Sequence, residues 1–353
     1  MRIGVPTEIK VHEGRVALIP EACAQLVEHD HEVYVQKGAG KQSGYTDDMY
    51  AKVGVKLVDD AASVFEHGEL IVKVKEPLTS ELPLIRSHHR LFSYLHLAAA
   101  PALLRGLLAS GATAIGFETV GDGRSLPLLA PMSDIAGRLS VHIGTTLLHQ
   151  QHGGRGVLLG GIPAAERGKV VILGAGVAGG NACEVAQSLG AEVVIFDPNR
   201  DKQARMRALG HNVTALHPYS EAIEQHVPQA DLLIGAVLIP GARAPHLVSR
   251  ELVSRMKPGS VIIDIAIDQG GCIATTRPTD YENPTYIWSD IVHFGVTNMP
   301  GAVPRTASQA LSATLVPYIL RLAKEDWKSD AELVRGINVE AGEAVLDSLR
   351  NLD

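Results

Sequence analysis

The sequence is poor in several kinds of residue, and each shortage narrows the class of protein. The chain has 353 residues but three cysteines, Cys23, Cys183 and Cys272. Their odd number and their spacing match neither a disulfide framework nor a metal site, so we expect buried, reduced thiols. Aromatic residues make up 4% of the chain, which predicts cores built from aliphatic side chains.

Long hydrophobic runs and an excess of positive charge are also missing. No apolar stretch approaches the ~20 residues that span a bilayer, and Met1–Pro6 resembles a first strand rather than a signal peptide. The formal net charge of −7 gives no reason to expect binding to nucleic acid or to a membrane. No metal-binding cluster is visible. We therefore expect a cytoplasmic enzyme of about two domains that acts on small molecules without a metal.

The most informative segment is residues 169–181, where a strand-like run meets a glycine turn and then a helical pattern. The run Lys169–Leu173 leads directly into Gly174-x-Gly176-x-x-Gly179. In dinucleotide-binding units the first glycine permits the tight turn, the second lets the backbone approach a pyrophosphate, and the third lets the helix pack on the strand. The phosphates would lie on the amides at the helix N-terminus. The residues predicted to bind cofactor here are Gly174, Gly176, Val177, Ala178 and Gly179.

A carboxylate follows at the separation expected for a ribose ligand. The next strand, Glu192–Phe196, ends at Asp197, which would accept hydrogen bonds from the adenosine ribose hydroxyls. Its negative charge repels a 2′-phosphate and favours NAD over NADP, although Arg200 and Lys202 lie nearby and keep NADP open. A glycine turn that binds no ligand is the alternative, but strand, turn, helix and acid all agree with the nucleotide interpretation.

Short strands alternate with helical segments along the chain, which predicts βαβ units and parallel sheets. The expected fold class is α/β, with two Rossmann-like doubly wound parallel-sheet domains separated by a cleft. We expect a discontinuous substrate domain, residues 1–128 plus 305–353, because the apolar-striped helix Ser308 to Lys324 would cross back to the first domain. The NAD-binding domain would take residues 129–304, including a connecting helix. The predicted strands and helices outside the glycine turn are Arg2–Val5, Pro20–His29, His31–Gln36, Val55–Val58, Leu70–Val74, Leu91–Leu95, Ala114–Phe117, Ser133–Gln150, Leu232–Gly235 and Val261–Ile265.

Four polar side chains in the first third follow predicted strands. Arg15 lies in a loop after the first strand, Lys73 and Lys75 lie at the end of an apolar strand, and His96 follows another. Open parallel sheets bind ligands beyond the carboxyl ends of their strands, so Arg15, Lys75 and His96, at three such ends, could converge on one small anion. Each also has an ordinary structural interpretation, as a surface arginine, an edge lysine or a hydrogen-bonded core histidine.

The second half offers matching pieces. Asp268 follows a strand and would lie near the nicotinamide, whereas Asp264 lies inside that strand and could be a buried, hydrogen-bonded structural acid. The loop Asn298–Gly301 could close over the nicotinamide or could be a simple turn between domains.

Together these segments resemble the alanine dehydrogenase family, which is related to the nucleotide-binding α-subunit of proton-translocating transhydrogenases. The resemblance covers nearly the whole chain, although the tail after Pro317 lacks motifs that match closely. The segments that carry it, besides the glycine turn, are Gly4–Lys10 with Arg15, Lys73–Pro77, Leu95–Ala99, Leu129–Arg138, Gly153–Gly156, Ile234–Val237, Asp264–Gly271 and Asn298–Pro300.

The resemblance implies that L-alanine, water and NAD give pyruvate, ammonium and NADH. It implies that Arg15 and Lys75 hold the carboxylate and carbonyl oxygen of pyruvate, that His96 is the general acid/base, and that Asp268 assists it. Family members are commonly hexamers, so we expect a homohexamer. The further cofactor-binding residues that the resemblance implies are Ser133, Asp197, Lys202, Ser220, Val237, Leu238, Ile267, Asp268, Asn298 and Met299.

Three other functions compete with this one. An isolated transhydrogenase subunit would pass hydride between NAD(H) and NADP(H) together with partner chains and would not act on alanine. An opine-type or saccharopine-like dehydrogenase would need a wider pocket. An NAD-sensing binding protein would keep the fold without turnover, although intact His96 and Asp268 argue against it.

Overall fold

The computed structural model describes residues 1–123, 125–237 and 245–350. The chain forms two compact units. Unit 1 comprises Met1–Met132 and the chain from Gly301 onward, and unit 2 comprises Ser133–Pro300. Each unit is built around its own mostly parallel sheet with helices packed on it. The predicted α/β class with two Rossmann-like domains is confirmed.

The described elements follow one another as strand and helix through most of the chain. The strands are β1 (Arg2–Val5), β2 (Glu32–Gln36), β3 (Lys56–Val58), β4 (Leu70–Val72), β5 (Arg90–Ser93), β6 (Thr113–Gly116), β7 (Lys169–Leu173), β8 (Glu192–Phe196), β9 (Val213–Leu216), β10 (Leu232–Gly235), β11 (Val261–Asp264), β12 (Thr285–Trp288), β13 (Ile291–Phe294), β14 (Ile337–Glu340) and β15 (Glu343–Ala344). The α-helices are α1 (Pro20–Glu28), α2 (Asp47–Ala51), α3 (Ala61–His67), α4 (Pro101–Ser110), α5 (Ala130–Leu147), α6 (Val177–Ser188), α7 (Arg200–Arg207), α8 (Ser220–His226), α9 (Arg250–Val253), α10 (Pro304–Leu322) and α11 (Ala331–Arg335).

The sheet of unit 1 has the order β15-β14-β6-β5-β4-β1-β2-β3 among the described strands. The six strands from β6 to β3 are parallel, and β14 and β15 add an antiparallel edge. The central strand β4 reads Leu-Ile-Val and is fully buried, which is typical of parallel strands covered on both faces.

The sheet of unit 2 has the order β12-β13-β11-β10-β7-β8-β9 within the described part of the chain. All neighbours are parallel except β12, which pairs antiparallel with β13 at the edge. The strand order reverses between β7 and β10. Such a reversal is the topological switch point at which open α/β sheets bind their ligands.

Several predicted boundaries differ from the observed ones. Strands β1, β8 and β10 begin and end at the predicted residues, whereas β4 stops at Val72 instead of Val74. Helix α10 begins at Pro304, four residues before the predicted start, because proline is well suited to the first turn of a helix. The antiparallel edges β12, β14 and β15 were not predicted, since short, partly polar edge strands carry little hydrophobic pattern.

The three cysteines are free thiols, and all three are buried. Burial raises the pKa of the Cys183 thiol to about 12, which keeps it protonated and unreactive at neutral pH. Within the described ranges, no helix combines the length and the apolar content that crossing a membrane would require.

A buried histidine in unit 1 predicts one feature of the pH dependence of stability. His89 is 1% exposed, and its Nδ1 accepts the Arg86 N–H while Nε2 contacts the Phe65 carbonyl. Burial, helped by the neighbouring His88, lowers the pKa of His89 to about 4. The unfolded chain binds a proton below about pH 6.5, so this stabilisation is present above that pH and is lost as the pH falls toward 4.

Between about pH 7 and about pH 5, we expect His89→Gln to reduce the loss of unfolding free energy by on the order of 1–2 kcal/mol. The fall in melting temperature over this range should flatten accordingly. Thermal unfolding followed by circular dichroism at a series of pH values measures this. His29→Gln is the control, because His29 is exposed and its Nδ1 contacts the carbonyl of Gln25 in the same helix turn. An unchanged pH dependence in His89→Gln would contradict the assignment.

Candidate active site

The three predicted substrate-site residues follow three neighbouring strands of unit 1. Arg15 follows β1, Lys75 follows β4 and His96 follows β5, and the strands lie in the order β5-β4-β1. All three strands are parallel, so their carboxyl ends meet at one edge of the sheet. We call this edge the carboxyl edge of unit 1. It is the place where open parallel sheets bind small ligands.

Arg15 is 2% exposed and is held by a two-pronged ion pair. Its Nε donates to Glu13 Oε1 at 2.6 Å and its Nη2 donates to Glu13 Oε2 at 2.5 Å. Burial lowers the pKa of Arg15, but the hydrogen bonds and charge of Glu13 outweigh burial and leave the pKa above its usual value. The guanidinium is therefore a fixed positive charge with a set orientation.

The loop that carries Arg15 has no regular structure, and α10 satisfies its backbone. Ser308 Oγ accepts the Val16 N–H at 2.9 Å, and Ser312 Oγ accepts the Ile19 N–H at 3.0 Å and donates to the Ala17 carbonyl. Both serines are fully buried. These hydrogen bonds fix the loop backbone and therefore the place from which the Arg15 side chain extends.

Lys75 contrasts with Arg15 because the described residues offer its ammonium no carboxylate within 4 Å. It is half-buried, and its backbone N–H lies 3.4 Å from Glu8 Oε2. Burial, followed by the positive charge of Arg15, lowers the pKa of the Lys75 ammonium. Two cations close enough to act on one another at this edge make it attractive for a small anion.

Lys73, the other candidate lysine, has a structural environment. It is 1% exposed, and its Nζ donates to Glu81 Oε1 at 2.7 Å and lies 3.5 Å from Glu8 Oε2. Burial lowers the pKa of Lys73, but the charges of Glu8 and Glu81 together raise it above its usual value. Its charge is neutralised inside the unit, which favours the structural interpretation of Lys73.

His96 presents an exposed ring in a tightly held loop. Its backbone is left-handed, with φ +47°, and it immediately precedes the short 3₁₀ turn Leu97–Ala99. The His96 N–H donates to Glu118 Oε1 at 2.6 Å. The ring stacks on Tyr94 with the centroids 5.9 Å apart and the planes within 5°. An exposed imidazole with a defined orientation is suited to proton transfer near neutral pH.

The glycine turn of unit 2 has the geometry of a phosphate cradle. Gly174 has φ +95°, which glycine adopts readily. An added Cβ at Gly179 would lie 1.8 Å from the Gly174 carbonyl oxygen, whereas one at Gly176 would meet no described atom within 4 Å. Helix α6 begins at Val177, and no side chain caps its first amides. The turn is therefore packed tightly beneath and open above, as a bound pyrophosphate requires.

Asp197 follows β8 and is 5% exposed. Its Oδ2 accepts the Ala175 N–H at 2.8 Å, and its Oδ1 accepts the Asn199 N–H at 2.9 Å. Lys202 Nζ lies 3.5 Å from Asp197 Oδ2. The carboxylate is thus hydrogen-bonded to the backbone of the glycine turn. Ser220, another predicted cofactor residue, begins α8 after the next strand, β9.

The other predicted cofactor residues follow β10, β11 and β13 or begin the long helix α5. Val237 follows β10, while Leu238 lies outside the described residues. Asp268 is exposed in the 3₁₀ turn Ile265–Gln269 after β11. The remaining positions are Ile267, buried in that turn; Asn298, with φ +62°; Met299, whose carbonyl accepts the Tyr281 hydroxyl; and Ser133, half-buried in the first turns of α5.

Asp264 is the buried structural acid that the sequence left open. It is 1% exposed and accepts hydrogen bonds from the N–H groups of Ala266, Cys272 and Ile273 and from the Thr276 hydroxyl. Burial raises the pKa of Asp264, although these four donors oppose that effect. The carboxylate holds both ends of the loop that carries Asp268.

Three carboxylates support the site; sequence reasoning missed Glu13 and Glu118 and left the role of Asp264 open. Glu13 holds Arg15, Glu118 binds the His96 loop, and Asp264 organises the Asp268 loop. For Glu118 a signal was present, because it follows β6 at the same carboxyl edge as the predicted residues. No group of three or more His, Cys, Asp or Glu side chains in the described ranges could hold a metal ion.

The fold and the glycine turn define a two-domain α/β protein of the class that binds a pyridine nucleotide, and comparisons with known proteins agree. Residues 4–136 match the family model described as alanine dehydrogenase/PNT, N-terminal domain, and residues 140–347 match the C-terminal domain of the same family. The chain belongs to this alanine dehydrogenase/PNT family, as the sequence motifs predicted.

Individual relatives cover essentially the full length. The alanine dehydrogenase of Mycolicibacterium smegmatis is 45% identical over 360 residues, covering 100% of this chain and 97% of the relative. A solved L-alanine dehydrogenase superposes with a TM-score of 0.96 and 48% identity, covering 100% of this chain and 99% of that chain. A transhydrogenase from Sinorhizobium meliloti superposes with a TM-score of 0.85 and 25% identity, covering 99% of this chain and 100% of that chain.

Proposed function

We propose that this chain catalyses the reversible, NAD-dependent oxidative deamination of L-alanine to pyruvate and ammonium. The observation that carries the proposal is the agreement of sequence and shape, 48% identity and a TM-score of 0.96, with a solved L-alanine dehydrogenase along the whole chain. The carboxyl edge of unit 1 supports it, because two cations and an exposed imidazole suit a small carboxylate substrate.

Arg15 and Lys75 hold the substrate in this proposal. Arg15 contributes a buried, oriented positive charge for the carboxylate, and Lys75 contributes a point charge for the carbonyl oxygen of pyruvate. Glu13 occupies Nε and Nη2 of Arg15, so the guanidinium keeps its orientation with or without substrate. Such preorganisation reduces the entropy lost when the substrate binds.

His96 transfers protons in this proposal. A bound nicotinamide would supply a hydride acceptor for the hydrogen on Cα of alanine, and loss of that hydride would convert the amine into an iminium. Water then adds to that carbon, and the His96 ring takes the proton that water releases and returns it as ammonia leaves. An imidazole can both accept and donate a proton, which suits both steps. We assign Asp268 an assisting role in proton transfer by family resemblance.

The residues of unit 2 fit NAD as the pyridine nucleotide. The open backbone above Gly176 and the uncapped amides at Val177 and Ala178 suit a pyrophosphate. The buried Asp197 carboxylate suits the ribose hydroxyls of NAD and opposes the 2′-phosphate of NADP. We assign the remaining cofactor-binding positions from the family resemblance. They are Ser133, Lys202, Ser220, Val237, Leu238, Ile267, Asp268, Asn298 and Met299.

We expect the wild-type chain to prefer NAD over NADP in kcat/KM by about 100-fold or more, since a 2′-phosphate would approach a buried carboxylate. Asp197→Asn should reduce that ratio by at least about 10-fold, because it removes the repulsion and frees Lys202 to contact the phosphate. Asp201→Asn, an exposed acid in α7, is the control and should keep the wild-type ratio. Equal efficiency of the wild type with both nucleotides would overturn the role of Asp197.

One assay separates the proposal from its rivals. NADH formation is followed with NAD plus L-alanine and with NAD plus larger amino acids. In a third arm, with NADH plus NADP and no amino acid, NADPH is measured by chromatography. Alanine dehydrogenase activity predicts turnover in the first arm alone or with weak side activity in the second. NADPH formation in the third arm alone would indicate transhydrogenase chemistry, and turnover in none would indicate a binding protein or a transhydrogenase subunit that lacks its partner chains. The 25% identity to the transhydrogenase, against 48%, favours the first outcome.

We also propose that the enzyme acts in the cytoplasm as a homohexamer. The hexamer rests on the family resemblance, and the cytoplasm rests on three free, buried thiols. Light scattering on the purified protein should give about six times the 37.6 kDa mass of the chain.

A further inference from the structure

The backbone at His96 adopts a conformation that an L-residue rarely takes. With φ +47° and ψ +38°, His96 lies in the left-handed region, which is unfavourable for a non-glycine residue. Such a conformation persists only where the surroundings enforce it. Contacts in the folded chain therefore hold the backbone of His96 in this conformation.

A single carboxylate enforces it. Glu118 Oε1 accepts the N–H of His96 at 2.6 Å and the N–H of Leu95 at 3.1 Å, and Oε2 lies 3.2 Å from the same Leu95 N–H. Leu95 is fully buried, so its N–H has no access to water if Glu118 is removed. Hydrogen bonds to an ionised acceptor are about twice as strong as neutral ones.

The space for this carboxylate is provided by neighbouring small and polar residues. Glu118 lies beyond the end of β6, which pairs with β5 in parallel, so it faces the residues that follow β5. A Cβ added to Gly116 would lie 3.2 Å from Glu118 Oε2 and 3.0 Å from Thr119 Oγ1. A larger residue at Gly116 would crowd the carboxylate that holds the loop.

The ring of His96 is oriented from a second side. Tyr94 stacks parallel to it, and the Tyr94 hydroxyl donates to the Leu128 carbonyl at 2.7 Å, which fixes the tyrosine ring. Tyr94 is 3% exposed, so its ring has little freedom to move. Glu118 thus fixes the backbone from which His96 extends, and Tyr94 supports one face of the imidazole.

We propose that Glu118 is a positioning residue for His96, which by accepting the Leu95 and His96 amides holds the imidazole where it transfers protons. The proposal rests on the proposed function, because it assigns Glu118 a part in the same reaction. Glu118 itself contacts neither substrate nor cofactor in this account. Its removal should therefore lower kcat and leave ligand binding unchanged.

The test compares two substitutions of Glu118 with a matched control. Glu118→Leu removes the acceptor and should lower kcat for L-alanine by about 100-fold, since a catalytic group misplaced by about 1 Å costs that much. Glu118→Gln keeps an oxygen at Oε1 and should lower kcat by less than about 10-fold but measurably. The KM for pyruvate and the Kd for NADH should stay within about 3-fold in both. Glu69→Leu is the control, because Glu69 also accepts a backbone N–H, that of Arg2, but at the surface.

A second readout does not depend on turnover. Hydrogen exchange measured by mass spectrometry on the full-length protein should show faster exchange at the Leu95 and His96 amides in Glu118→Leu than in wild type or Glu69→Leu. This readout holds even if wild type fails to oxidise alanine, an outcome that would end the proposed function while the loop contact is still tested. If Glu118→Leu does not fold, Glu118→Gln carries the test by its reduced kcat at unchanged KM.

Two results would overturn the proposal. Wild-type kcat in both Glu118 variants would show that the loop contact does not matter for the reaction. A fall in kcat with an equal rise in the KM for pyruvate or the Kd for NADH would show that Glu118 acts on binding instead of on His96.

Discussion

Replacing His96 with alanine is expected to lower kcat for L-alanine oxidation by about 10²–10⁴-fold, the range that a positioned general acid/base contributes. NADH should still bind with wild-type affinity, because His96 lies in unit 1 and the glycine turn lies in unit 2. Steady-state kinetics measures the first quantity, and quenching or enhancement of NADH fluorescence measures the second. His29→Ala, which removes another exposed imidazole of unit 1, is the control and should be fully active. A kcat near the wild-type value would remove His96 from proton transfer.

Replacing Lys75 with methionine is expected to lower kcat/KM for pyruvate by about 100-fold, with most of the change in KM. Methionine keeps the length of the stem but removes the charge, and the loss of a hydrogen bond to a charged group costs about 1.5–3 kcal/mol. Lys52→Met is the matched control, because Lys52 is exposed at the end of α2. Unchanged KM and kcat would show that Lys75 takes no part.

The lowered pKa of Lys75 adds a pH signature to the same variant. Burial and the positive charge of Arg15 disfavour the protonated form, so Lys75 loses its proton below the usual value of about 10.4. Since the ammonium is the binding form, pyruvate affinity should weaken on the alkaline side earlier than an ordinary lysine would allow. Lys75→Met should lack this alkaline decline.

Much of the fold could be predicted from the sequence, because buried parallel strands such as β4, β7 and β10 consist mostly of Val, Ile and Leu. Strands β1, β8 and β10 have the predicted bounds, and the switch point of unit 2 follows from the glycine turn after β7. The antiparallel edges formed by β12, β14 and β15 left no such pattern. Strand β14 pairs with β6 far along the chain, as Ile337 with Ile115 does, and periodicity within a segment carries no information on that. Strands β12 and β15 pair with their neighbours β13 and β14.

The site shows the same division between local and long-range information. The rule that ligands bind at strand ends identified Arg15, Lys75 and His96 as candidates. It could not separate Lys75 from Lys73, since residues two apart at a strand end look alike in sequence. Only the fold brings Glu8 and Glu81 to Lys73 and makes it a buried ion pair.

Supporting residues were harder to predict than the groups they support. Glu118 contacts the loop after β5 only because β6 pairs beside β5, and Asp264 closes a loop whose ends are eight residues apart. Glu118 belongs to no motif with a fixed spacing, and the sequence named Asp264 only as a possible structural acid. Their roles follow from unpaired backbone amides that require an acceptor, and these amides become apparent only in the folded chain.

In the proposed reaction, a hydride moves from Cα of L-alanine to C4 of the nicotinamide. Transfer of an isotope label between these two atoms is the most direct test. The protein is incubated with L-alanine deuterated at C2 and NAD, and the nucleotide product is analysed by mass spectrometry and NMR. We predict one deuterium at C4 of the nicotinamide in the reduced nucleotide and pyruvate that carries no deuterium. NAD that remains oxidised, or reduced nucleotide without deuterium, would contradict it.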